Sequence, residues 1–169
     1  MNGETAVLSA RAGDLRRAFD QGFASPPAPA DNEGEGVLAI CAGGEACAVP
    51  LGQTHGLFAD AKVVALPGRL PAFMGITCLR SGIVAVYSLR TFFGHPPAGE
   101  PMRWLLLAGG RQQPFALAFE AFDAYARLPP GAISVSGRGG HIQGSATIAG
   151  ERRATLSLVS IAAALSAKP

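Results

Sequence analysis

The chain has 169 residues, enough for one domain with a substantial core, and with 49% hydrophobic against 15% charged residues it has the composition of a folded protein. A net charge of +2, with 14 lysines and arginines in no dense run, speaks against a nucleic-acid partner. Mean hydropathy is high at +0.27, yet no apolar run approaches the ~18 residues of a membrane-spanning helix, and Met1–Thr5 lacks the basic start of a signal peptide. The expected setting is the cytoplasm, without direct membrane insertion.

The first expected element is a helix. Between residues 5 and 23, Leu8, Leu15, Phe19 and Phe23 recur at helical spacing, with Arg11, Arg16, Arg17 and Asp20 mostly on other faces. Residues 25–36 are rich in proline and polar residues, as a linker is. Residues 1–36 therefore read as an accessory amphipathic helix and Pro-rich linker.

From Val37 onward the pattern changes to short apolar runs between glycines and prolines. Strands are expected near 37–42, 45–50, 62–66, 74–79, 83–89, 103–108, 114–119, 121–127, 141–148 and 152–158. Gly43-Gly44 and Gly109-Gly110 suit two-residue hairpin turns, and Gly150-Glu151 is a weaker candidate. Alanine and leucine between Val159 and Leu165 favour a closing helix. Many short strands with such turns imply an all-β barrel or sandwich.

No catalytic set is visible, so no enzyme, cofactor or metal is expected. His55, His95 and His141 show no ligand spacing, no serine lies in a nucleophile motif, and no carboxylate pair announces acid/base work. Gly137-Arg138-Gly139-Gly140 could cradle an anion, but without a following helix start a flexible inter-strand loop fits better. Cys41, Cys47 and Cys78 lie in apparent strands among apolar neighbours and read as small buried thiols. A two-residue turn at Gly43-Gly44 would place Cys41 and Cys47 on opposite faces of the hairpin, which argues against a disulfide.

The stretch from Met74 to Gly94 joins two apolar runs through Leu79-Arg80-Ser81-Gly82. It resembles the signature hairpin of the CheW family, the adaptors that join bacterial chemoreceptors to a histidine kinase. Gly75, Leu79, Arg80, Ile83, Val84, Val86, Leu89, Arg90 and Gly94 match in register. Leu38–Leu51 resembles the family's opening hairpin, and Val64–Gly75 its proline-rich approach to the signature. Phe115–Glu120, Ala154–Leu158 and Ile161–Leu165 follow in the family's order.

The resemblance implies two small five-stranded SH3-like barrels packed side by side over residues 37–165, roughly 37–94 and 100–165, with strand exchange allowed between them. Residues 95–101 would then cross from one barrel to the other. It further implies a non-enzymatic scaffold whose partners are a methyl-accepting chemoreceptor and a CheA-type histidine kinase. Arg80 matches the arginine that engages the receptor, with a surface arginine pinning the turn as the alternative. Thr54 and Leu57 fall in the stretch implicated in kinase contact, together with the neighbourhood of Gly75; ordinary core packing is the alternative for Leu57. Cys78, Ser81, Ala85 and Ser88 replace the family's Asn, Gly, Pro and Asp, and Gly56 replaces an acidic residue. Each change removes a polar or conformational device, so a degenerate domain that competes without activating coupling is a second reading. A small-ligand-binding β protein is a third.

Overall fold

The computed structural model describes residues 34–79, 82–97, 99, 102–110, 113–135 and 140–167. The helix expected over residues 5–23, most of its linker, Arg80, Ser81 and residues 137–139 lie outside them. Among the described residues, β1 (Glu35–Ala42) and β2 (Glu45–Pro50) lead through a 3-10 turn (Leu51–Gln53) into β3 (Thr54–Ala59). β4 (Val64–Ala65), β5 (Phe73–Leu79), β6 (Gly82–Ser88) and the single-turn helix α1 (Leu89–Phe92) follow. Next come β7 (Trp104–Gly110), β8 (Gln113–Phe119), β9 (Ala121–Leu128) and β10 (Ser134–Val135). The chain closes with β11 (Ile142–Ile148), β12 (Glu151–Leu156) and helix α2 (Leu158–Ser166).

The fold is the expected all-β one. Two six-stranded sheets run in the orders β10-β11-β12-β2-β1-β9 and β3-β7-β8-β6-β5-β4. Each exceeds the expected five by a two-residue edge strand, β10 in one and β4 in the other. Each also holds one parallel pair, β12 with β2 and β6 with β8. The first sheet takes strands from both ends of the domain and the second takes the middle. Residues 95–101 accordingly join α1 to β7 within the second sheet and are not the crossover. The chain passes between sheets at the 3-10 turn and at Glu120, which alone separates β8 from β9.

Alternation along four strands builds three apolar clusters. Leu38 and Ile40 of β1, Cys47 and Val49 of β2, and Phe115, Leu117 and Phe119 of β8 meet in a core shared by both sheets. The intervening Val37, Ala39 and Ala48 fill the first barrel with Ala146 and Ile148. Ala116 and Ala118 fill the second with Leu105, Leu107, Val84 and Val86. These strands are buried on both faces, which is why they read as unbroken apolar runs. The barrel interiors take many small side chains because a small barrel leaves little room inside. Leu158 and Ile161 dock α2 onto the shared core.

Local chemistry sets the ends. Gly43 and Gly44 have φ of 65° and 83°, the pair of positive values that a two-residue turn from Ala42 to Glu45 requires. The other two turns fall elsewhere than expected. Gly109 and Gly110 stay within β7, since Gly110 pairs with Gln113. The third turn uses Ala149-Gly150, one residue early, because Ile148 pairs with Glu151. The strand expected over 83–89 stops at Ser88, whose Oγ accepts from the Thr91 N–H (3.1 Å) and starts α1. Ser157 does the same for α2, accepting from Ser160 N–H at 3.3 Å.

The three cysteines are free. Ile40 lies opposite Cys47 and Ala46 opposite Cys41, so the two thiols point to opposite faces, as expected. Cys78 departs from expectation: Thr77 and Leu79 turn inward on β5, and the alternation leaves Cys78 exposed. Burial, then the nearby Glu45 and Cys41, pushes the Cys47 thiol up to about 12 against a lowering by Arg153. At pH 8 a thiol reagent is therefore expected to label Cys78 first and Cys47 only on unfolding. The unfolded chain can release the Cys47 proton near the ordinary cysteine value while the native chain cannot. Stability should then be intact below that value and decline as pH rises towards about 12. Equal labelling rates for Cys47 and Cys78 in the native protein would contradict this.

Candidate functional site

The outward face of β6 borders a groove. Val84, Val86 and Ser88 point inward, leaving Ile83, Ala85 and Tyr87 outside, with Ile83 74% exposed. β8 lies parallel beside β6, and α2 forms the opposite bank. Together they bound a groove of about 890 Å3 lined chiefly by Ile83, Tyr87, Gly109, Phe115, Ala162 and Leu165. A smaller hollow of about 340 Å3 continues past Gly109 and Gly110 to Gln53, His55 and Val159. Among the described residues the groove lining carries no charged side chain. Such a surface, part apolar and part polar, suits an uncharged peptide face rather than an ionic ligand.

A polar frame holds the crossover. Glu120 accepts from Arg90 Nη1 at 3.1 Å and from the Gly43 N–H at 3.0 Å, tying the first hairpin to α1. Arg90 Nε also donates to the Pro96 carbonyl at 2.6 Å. The three histidines serve separate local contacts. His55 Nε2 lies 2.6 Å from Gly109 O, His95 Nε2 lies 3.1 Å from Glu45 Oε1, and His141 Nδ1 lies 3.1 Å from Ser160 Oγ. Among the described residues no group of three or more His, Cys, Asp or Glu could hold a metal ion. No helix among them is long and apolar enough to cross a membrane.

The expected partner-binding residues do not form one cluster. Arg80 is outside the described residues, but Leu79 and Gly82, which flank it and Ser81, are paired, and Gly82 leads directly to Ile83 in the groove. Thr54 and Leu57 lie on β3, at one edge of the second sheet. Thr54 Oγ1 donates to the Leu51 carbonyl at 2.9 Å, and half-buried Leu57 packs against the shared core. Gly75 lies on β5, next to the opposite edge. It is buried with φ of 141°, and a Cβ there would run into the Val64 carbonyl. The groove residues Tyr87, Phe115, Ala162 and Leu165 were not legible as a site. The alternation of β6 is a local signal for Tyr87 alone.

The sequence profile of the CheW-like domain family matches residues 36–167. The chain belongs to that family. CheW-like domains are non-enzymatic chemotaxis adaptors. The scaffolding protein TtCheW from Thermoanaerobacter tengcongensis has a similar fold, with a TM-score of 0.65 at 15% identity over 73% of this chain and 89% of that one. No curated protein matches in sequence. One departure from the CheW pattern proves conservative: Ser88 accepts at the start of α1 as the family's aspartate could.

Proposed function

We propose that this CheW-like domain is a cytoplasmic adaptor coupling the tip of a methyl-accepting chemoreceptor to a CheA-type histidine kinase. The observation that carries the reading is the groove that begins at Ile83, three residues after Arg80 in sequence, and has no charged side chain among its described lining residues. A receptor tip would lay its apolar side on Ile83, Tyr87 and Leu165 while Arg80 meets a carboxylate of the same partner. The kinase would engage the strand edges instead, along β3 at Thr54 and Leu57 and beside Gly75 on β5. The two partners would then occupy different surfaces and bind together.

Arg80→Ala is expected to weaken binding to a receptor cytoplasmic fragment by about 1–3 kcal/mol in calorimetry, as loss of an interface anchor does. Its unfolding free energy should stay within about 0.5 kcal/mol of the parent. A large fall in stability with unchanged receptor affinity would make Arg80 a structural residue.

A further inference from the structure

The wall between the groove and its side hollow is built from residues with little conformational restraint of their own. Gly109 and Gly110 line both spaces. Gly109 has φ of 92°, and a Cβ on it would come within 2.5 Å of the Gln113 carbonyl, so no side chain can stiffen the position. A Cβ on Gly110 would meet no atom of the other described residues within 4 Å. The last pair of β3 with β7 is Thr54 with Ala108, after which β3 gives way to the 3-10 turn. The Gly109 carbonyl thus lies one residue past the last pair on that side, within reach of a side-chain donor.

His55 supplies one. The pairing of β3 with β7 shifts between Thr54 and Gly56, so His55 is the extra residue of a β-bulge. The bulge turns its imidazole along the strand, and Nε2 reaches the Gly109 carbonyl at 2.6 Å. Because the acceptor is a carbonyl, Nε2 carries the proton, a form that both the neutral Nε2–H tautomer and the imidazolium provide.

We propose that His55 is a positioning residue of the groove: by donating to the Gly109 carbonyl it fixes the glycine wall and thereby the width of the channel that a receptor tip enters. This rests on the reading of the groove as the receptor surface. Without the imidazole, the Gly109-Gly110 pair would sample several conformations, and the partner would have to order it on binding.

The test uses the full chain with His55→Leu, which keeps bulk without a donor, and His55→Gln, whose amide N–H can reach a similar place. Amide exchange at Gly109, Gly110 and Gln113 is followed alongside affinity for a purified chemoreceptor tip fragment. In His55→Leu, exchange at these residues should quicken and receptor affinity should fall, each by about three- to tenfold, the scale of one hydrogen bond. Melting temperature should hold, and His55→Gln should restore both changed quantities. Unchanged exchange in His55→Leu, a loosened wall with unchanged receptor affinity, or failure of glutamine to rescue would each overturn the proposal. If the parent protein itself bound no receptor fragment, the reading of the groove would fall. The exchange data would still decide whether His55 tethers the wall.

Discussion

Gly75→Ala is expected to destabilise the domain by about 3–4 kcal/mol, nearly as much as Gly75→Val, because the first carbon added does the damage. The backbone there has φ of 141°, a conformation that side chains rarely adopt. The added Cβ would collide with the Val64 carbonyl and lie 2.9 Å from the Ala65 Cα. Both obstacles are backbone, so no rotamer change relieves them. The remaining escape is for β4 to leave β5, where Val64 pairs with Ile76 and Ala65 with Gly75. Thermal or urea unfolding of both variants checks this. An alanine variant within about 0.5 kcal/mol of the parent, the ordinary range for a harmless surface change, would contradict it. Loss of kinase binding on substituting Gly75 should therefore be judged against the fold of β4 and β5 before it is assigned to a lost contact.

The second large effect is expected at Arg153. The residue is 8% exposed, and its side chain reaches from β12 towards β1 and β9. Nη1 donates to Asp123 Oδ2 at 2.6 Å and to the Ile40 carbonyl at 3.2 Å, and Nη2 donates to Glu151 Oε2 at 2.5 Å. The reason lies in the pairing of β1 with β9, which slips between Ala39 and Ile40 and makes Asp123 an extra residue. The arginine thus satisfies both a carbonyl and a carboxylate at an irregular point of the ladder. Burial by itself lowers the pKa of this group, but Asp123 and then Glu151 outweigh it and hold the guanidinium above its ordinary value.

Arg153→Met should cost about 2–3 kcal/mol, below the ~3–5 of a wholly buried pair, because the freed carboxylates can rehydrate. The side chains of Asp123 and Glu151 are 36% and 55% exposed. Urea unfolding of the Met variant gives the answer. Stability equal to or above the parent would mean that packing alone holds β9 against β1.

Much of the fold was legible because burial on two faces leaves a plain trace. β1, β2, β7 and β8 are apolar at almost every position, and the Gly43-Gly44 turn fixed the first hairpin's register. β3 was hidden because the bulge at His55 and the glycine after it break the alternation that marks a strand. α1 was hidden because Leu89 continues the rhythm of β6, and a lone Ser88 is a weak sign of a helix start. The groove was invisible for another reason. Ile83, Phe115 and Leu165 come from separate parts of the chain and share no local pattern. Arg152 and Arg153 are adjacent charges in sequence. Only the direction of β12 sends Arg153 inward to Asp123 and leaves Arg152 exposed on the other face.

The account stands on one molecule bridging two partners, and a titration into CheA-type kinase plus receptor membranes tests that directly. Kinase autophosphorylation should rise as the protein is added, because binding one partner raises the effective concentration of the other. It should then fall at excess, when kinase and receptor are occupied by separate copies. A conventional CheW adaptor run in parallel sets the scale. Inhibition with no activating phase would identify a competitor, and no binding to either component at tens of micromolar would contradict the adaptor function altogether.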